Sequence, residues 1–190
     1  KAGSFVGSKD IGTDRLISTN NPLCEGSTLT LDATEPGSTY QWYKDGNILN
    51  GETSATYTAT STGKYEVYIS NSSCNLRGAI LVEYLEKAIV APTTFNNCDT
   101  DFDGNIPIKL DNLNATIITN YKPEFAVKYY LNLTDATLGN SNILPNNWSY
   151  NADTTIYVRV ENGVCAPEIQ PIQFKLGTTL NLLTNEATPP

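Results

Sequence analysis

The chain has 190 residues and a formal net charge of −8, a length that allows one or two domains. That charge argues against a nucleic-acid binder, which needs a basic stripe to displace counterions from phosphates. The chain has no histidine, which excludes Ser-His-Asp and Cys-His nucleophile pairs and any zinc site that needs imidazole.

Thr and Asn make up about a quarter of the residues. Thr favours strands and Asn favours turns, so the composition points to an all-β protein. In chain order, apolar–polar alternation predicts strands over Thr28–Ala33, Tyr40–Lys44, Ala55–Ala59 and Lys64–Ser70, then Ala79–Tyr84, Phe125–Leu131, Thr155–Val160 and Ile169–Leu176. Turn chemistry separates them at Glu35-Pro36-Gly37, Asp45-Gly46-Asn47, Ser61-Thr62-Gly63, Asp103-Gly104-Asn105 and Asn162-Gly163. Helical periodicity holds nowhere for three turns, and strands at such intervals without intervening helices imply β-sandwiches. The most apolar run, Gly78 to Val90, is broken by Glu83, Glu86 and Lys87, too polar and too short to span a bilayer. Residues 1–10 lack the apolar core of a signal peptide, and the chain has no methionine. The expectation is a processed product or an excised fragment whose export is directed from elsewhere.

The cysteines are Cys24, Cys74, Cys98 and Cys165. No C-x-x-C pair exists, so two structural disulfides and an oxidising compartment are expected. Four cysteines allow three connectivities, and spacing alone does not choose among them. An internal repeat narrows the choice. Residues 65–74, ending in Cys74, align without gaps on residues 156–165, ending in Cys165. In both, three alternate core-type residues, Tyr65, Val67 and Ile69 or Ile156, Val158 and Val160, lead into an Asn-containing turn and the cysteine. A cysteine also stands near the start of each unit. Two modules of one plan follow, 21–90 and 91–176, joined near Ala91-Pro92, with 1–20 and 177–190 expected as linker ends. If each bridge stays within its module, the pairs are Cys24–Cys74 and Cys98–Cys165.

The first module resembles an immunoglobulin-like domain. Residues 26–33 resemble strand B, residues 40–46 strand C with core Trp42, and residues 62–67 strand F with its corner tyrosine, Tyr65. Ala33 and Val67 stand where the usual inter-sheet cysteines would be, so apolar packing replaces that bridge. In the second module Cys98-Asp-Thr-Asp-Phe-Asp-Gly104, Val127-Lys-Tyr-Tyr130, Asp135-Ala136, Leu138-Gly-Asn140 and the stretch from Ile156 to Cys165 carry a narrower resemblance. They are similar to a repeat type of large surface proteins of gliding Bacteroidetes, secreted by the type IX system, the SprB-like mobile adhesins among them. The resemblance implies two tandem immunoglobulin-like β-sandwiches in a non-enzymatic stalk or adhesion segment. It also implies anchorage at the outer surface, neighbouring modules of the same chain, and secretion or gliding machinery or surface glycans as partners. Such repeats commonly stand just before a C-terminal sorting domain.

Asp99, Asp101 and Asp103 alternate before Gly104, with the Asn105 carbonyl in reach, as in the first half of an EF-hand loop. Three close carboxylates repel one another, and Ca²⁺ offsets that. Position nine of such a loop is Pro107 and position twelve is Leu110, so no bidentate Glu closes the shell. The alternative to a Ca²⁺ site is an acidic turn. Arg159 is expected on a solvated strand face beside Glu161, and the N-x-S/T triplets at Asn71, Asn114, Asn132 and Asn147 reflect composition. Asp153-Thr154-Thr155 resembles a Bacteroidetes O-glycosylation acceptor. The rival function, an accessory carbohydrate-binding pair from a polysaccharide-degrading enzyme, needs an exposed aromatic platform, for which Trp148 and Tyr150 are the candidates.

Overall fold

A computed structural model describes residues 7–72 and 74–177. They fall into two compact units: 7–87 together with Gly163–Ala166, and 88–162 together with 167–177. The expected linker or module ends at 1–6 and 178–190 lie outside the described residues.

The first unit carries β1 (Gly7–Ser8), β2 (Leu23–Cys24), β3 (Leu29–Asp32), β4 (Thr39–Lys44), β5 (Asn47–Ile48), β6 (Thr56–Ala59), β7 (Gly63–Ser70), β8 (Asn75–Val82) and β9 (Tyr84–Leu85). One sheet has the order β1-β8-β7-β4-β5, with β1 parallel to β8 and the rest antiparallel. The antiparallel pair β3–β6 supplies the other sheet strands, and β2 runs parallel to β9. Leu31, Trp42, Val67 and Ile69 are at most 1% exposed, because period-2 alternation turns one face of each strand into the core. Trp42 is fully buried and its Nε1 donates to the Ser54 carbonyl at 2.9 Å. The Tyr65 hydroxyl donates to the Ser61 carbonyl at 2.7 Å, the tyrosine-corner bond of immunoglobulin-like sandwiches. Ala33 and Val67 are fully buried, so apolar contact fills the place of the inter-sheet bridge.

Residues 7–15 belong to this unit, which corrects their expected role as linker. Lys9 N–H donates to the Arg77 carbonyl at 3.0 Å and Arg15 N–H to that of Leu81 at 2.8 Å. Ile11 is a core residue at 5% exposure. The room for it comes from Gly78, opposite Val67 in the β7–β8 register. A Cβ there would stand 2.6 Å from Ile11 Cγ2 and 3.0 Å from Val67 Cγ1. No alternation within residues 1–20 encodes that contact.

The second unit has β10 (Thr93–Asn97), β11 (Ile106–Lys109), a 3₁₀ turn (Leu110–Leu113), α1 (Asn114–Ile117), β12 (Ala126–Tyr130), α2 (Leu133–Leu138), β13 (Asn147–Tyr150), β14 (Thr154–Glu161) and β15 (Glu168–Leu176). Its main sheet has the order β10-β15-β14-β12, with β10 parallel to β15, and β11–β13 forms the other layer. Each unit therefore repeats one plan. An opening strand lies parallel to the closing strand, which pairs with the strand before it, and a short antiparallel pair faces that sheet. Ala88 and Val90 are 7% exposed in the second core, and Val90 bridges to Ile118, so the division falls at 87/88 rather than after residue 90. The fold is all-β apart from these short helical segments: two tandem immunoglobulin-like β-sandwiches.

Candidate functional site

Cys24 is bonded to Cys165, with Cα atoms 4.9 Å apart, and Cys74 and Cys98 are free thiols. This corrects the expected pairs Cys24–Cys74 and Cys98–Cys165. The reason lies in the closing strands. Cys24 pairs in register with Leu85 of β9, at the far end of the strand run that begins next to Cys74. Eleven residues of extended chain at about 3.3 Å each set the two cysteines roughly 35 Å apart, and a disulfide needs Cα atoms within about 7 Å. The second unit repeats this. Cys98 follows Asn97, which pairs with Leu176 at the end of β15, whereas Cys165 stands in the turn that leads into β15. Each half of the sequence repeat thus places its two cysteines, Cys24 and Cys74 or Cys98 and Cys165, at opposite ends of its closing strand, where they cannot meet. Gly163–Ala166, with Cys165, groups with the first unit, and Cys165 Sγ lies 3.7 Å from the Leu85 carbonyl oxygen.

The acidic turn follows Cys98. One carboxylate oxygen each from Asp99, Asp101 and Asp103 lies within 4.8 Å of the others. Asp99 accepts from the Gly104 and Phe102 N–H groups, both at 2.8 Å, and Asp103 accepts from Asn105 N–H at 2.7 Å. The Gly104 N–H above all, with the backbone N–H groups of Phe102 and Asp101, holds the Asp99 carboxyl below its ordinary value. Beyond Asn105 the chain enters β11, and Leu110, at the place of the closing glutamate, is a 1%-exposed core residue. The carboxylates brought together here number three, fewer protein ligands than the six to eight oxygens of a full Ca²⁺ shell.

The aromatic platform is absent from the places expected. Trp148 and Tyr150 stack on each other at 5.6 Å and both pack on the core residue Phe174, at 5.4 and 5.2 Å. Tyr150 is 4% exposed. Asn114, one of the N-x-S/T asparagines, is buried and accepts from the Tyr129 hydroxyl at 2.8 Å.

Arg159 is not solvated: its side chain is 12% exposed. It pairs with Glu161 as expected, and its Nη1 also donates to the Ala136 and Thr137 carbonyls at 2.9 and 3.0 Å. Those are carbonyls of the last turn of α2, which a cation favours. The sequence signal for α2 was present: the Asn132 side chain accepts from Asp135 N–H at 2.9 Å as the N-cap, and Gly139 closes the helix at φ +62°. Hydrogen bonds from Asn140, Asn132 and Asn142 hold the Asp135 carboxyl below its ordinary value. A six-residue helix is too short for a period of 3.6 to register, so only its caps reveal it.

The strand plan, the tyrosine corner and the buried Trp42 define the class as tandem immunoglobulin-like sandwiches. Residues 94–181 match the model of the Flavobacterium inter-domain disulphide bond domain family. The chain is similar in fold to an I-band fragment of titin (14% identity, 90% of this chain and 62% of that one, TM-score 0.39). It is also similar to Drosophila OTK extracellular domains 3–5 (12%, 92% and 62%, 0.41). A third likeness is to the N-terminal eight Ig domains of Down Syndrome Cell Adhesion Molecule (14%, 83% and 23%, 0.48). The chain thus spans 62% of the length of the titin fragment. No curated protein sequence matches it. Among the described residues no helix is long and apolar enough to cross a membrane. An immunoglobulin-like module with a Flavobacterium family match fits a segment of a secreted or surface protein of Bacteroidetes.

Proposed function

We propose that the chain is a non-enzymatic, force-bearing stalk segment of a large adhesin at the outer surface of a gliding bacterium, exported by type IX secretion and used in surface attachment. The observation that supports this most is the Cys24–Cys165 bond, which closes a loop of sequence separation 141. Tension entering near residue 24 crosses the sulfur–sulfur bond to residue 165 and bypasses the chain between them. A stalk needs that property, since an immunoglobulin-like sandwich pulled from its ends otherwise extends on unfolding. Neighbouring modules of the same chain are the first partners in this reading, with surface glycans or the secretion and gliding machinery contacted elsewhere in the adhesin. Ca²⁺ bound by Asp99, Asp101 and Asp103 would be an accessory ion of the millimolar extracellular class. The carbohydrate-binding alternative loses its main support, because Trp148 and Tyr150 pack inward.

Single-molecule stretching of the full chain from its two ends tests this. Without reductant, extension should lack the enclosed stretch, roughly 460–510 Å of contour length, and reductant should release it. The same full extension in both conditions would contradict the force-bearing role.

A further inference from the structure

We propose that the outer face of the first unit's main sheet holds a site for a neutral sugar ring, in a cleft between Tyr43, Tyr68 and a rim of amides and hydroxyls. The strand pleat puts these side chains together. Trp42, Val67 and Ile69 point into the core and are at most 1% exposed, so Gln41, Tyr43 and Tyr68 turn outward. In register, Gln41 stands opposite Tyr68, Thr39 opposite Ser70, and Ser70 opposite Asn75. The cleft has a volume of about 260 Å³, near the small end of ligand sites, which suits one or two rings.

The Tyr43 and Tyr68 rings stand 4.7 Å apart at an interplanar angle of 50°, so they form a corner rather than a stack. Both are partly buried. The face of an aromatic ring is negative and attracts the C–H face of a pyranose. The polar rim is already oriented. Gln41 Nε2 donates to the Trp42 and Leu49 carbonyls at 3.1 and 2.9 Å, which leaves its Oε1 as an acceptor. Ser70 Oγ donates to Asn75 Oδ1 at 2.6 Å, which leaves the Asn75 amide hydrogens as donors. Thr39 Oγ1 donates to the Ser70 carbonyl at 3.2 Å and keeps its lone pairs. Hydroxyl groups, which donate and accept at once, match such a mixed rim.

Charge argues against ionic ligands. The chain has 12 Lys and Arg and 20 Asp and Glu, yet among the described residues none of them lines the cleft. Glu66, opposite Tyr43, is paired with Arg77 and Lys64. A phosphate, carboxylate or ammonium ligand finds no counter-charge there. The repeat shows the same face already occupied in the second unit. Arg159 takes the position of Tyr68, it binds the last carbonyls of α2, and Ala136 of that helix is fully buried. Among its described residues the first unit has no helix to lay over Tyr68. The proposal goes beyond the stalk reading, which leaves surface glycans to other parts of the adhesin, and it does not depend on that reading.

The test is titration of the full chain with methyl β-glucopyranoside and methyl β-galactopyranoside, followed by amide NMR. At least one should give saturable shifts in the millimolar range, confined to the neighbourhood of Gln41, Tyr43, Tyr68 and Asn75. Sorbitol, a polyol without a ring face, should give none. Tyr43→Ala should weaken binding about two- to tenfold, the size of one aromatic contact, and Tyr43→Phe should retain it. Asn75→Asp, which keeps the Ser70 bond but exchanges the free donors for a carboxylate oxygen, should weaken binding as well. No saturable shift with either pyranoside, equal shifts with sorbitol, or undiminished binding in Tyr43→Ala and Asn75→Asp would each overturn the site. Binding of a peptide of residues 131–140 to this face, with both sugars silent, would make it a protein dock and overturn the sugar site too. None of these outcomes alters how the single chain extends under load, so the stalk reading is judged separately.

Discussion

Opposite Val67 in the first unit stands Trp42, and opposite Val158 in the second stands Tyr129. At the corner position the first unit has Tyr65, its hydroxyl on the Ser61 carbonyl, and the second has Ile156, fully buried. One strand plan is thus filled by two different sets of anchors. Trp42 meets its polar requirement with one backbone carbonyl, whereas Tyr129 needs Asn114, which sits on α1, to accept its hydroxyl. The outer faces of the main sheets differ as well. In the first unit the buried Glu66 is paired with Arg77 and with Lys64. In the second, Arg159, at the repeat position of Tyr68, is covered by α2 and binds its last carbonyls. A sandwich of this kind tolerates exchange of its anchors as long as each buried polar atom keeps a partner.

The largest separation of the two units should come from Trp42→Ala. It should cost the first unit about 3–5 kcal/mol and leave the second unit's transition in place, read by calorimetry and by Trp148 fluorescence. Equal loss in both transitions would mean that the two cores do not unfold separately.

Next is Tyr129→Phe, which leaves the buried Asn114 carbonyl oxygen without its donor and should cost the second unit roughly 1–3 kcal/mol. Burial pushes the Tyr129 hydroxyl strongly up from its ordinary value of 10.0. A group whose pKa is raised on folding contributes stability that is complete below its unfolded value and lost as pH rises beyond it. The second unit should therefore lose stability above about pH 10, and Tyr129→Phe should flatten that slope. An unchanged alkaline slope would show that other tyrosines carry it.

Gly139→Ala comes third. It forces φ +62° on an L-residue and brings a Cβ within 3.0 Å of the Arg159 guanidinium. The expected loss is about 1–2 kcal/mol, confined to the second unit and reduced when Arg159→Ala is combined with it. Strict additivity of the two would separate the helix end from the arginine. The smallest effect is at the acidic turn, where millimolar Ca²⁺ should raise only the second unit's melting temperature, by a small mass-action increment. Asp101→Asn with Asp103→Asn should abolish that rise, and melting that ignores Ca²⁺ and chelator alike would leave an ordinary turn.

The strands were legible where core-type and polar residues alternate, as in residues 64–70 and 155–160, although the polar face is itself partly covered, with Glu66 buried and the Arg159 side chain 12% exposed. Trp42 and Tyr65 were legible for the same reason and found the hydrogen bonds their positions imply. The opening strand at Gly7–Ser8 was not, because its anchor Ile11 is made possible by Gly78, some 67 positions on. The pairing of the cysteines was hidden for a similar reason. Spacing shows that each module has a cysteine near its start and another in a late turn, but not that an extended closing strand holds the two apart. α2 shows the converse: its caps at Asn132, Asp135 and Gly139 were in plain view, while its period was too short to read.

The most direct test of the bonded arrangement is non-reducing peptide mapping of the single 190-residue chain after alkylation of its free thiols. The expected result is one linked peptide pair carrying Cys24 and Cys165, with Cys74 and Cys98 both alkylated. Linked pairs Cys24–Cys74 and Cys98–Cys165 would contradict it, since both would require closing strands that do not hold their cysteines apart.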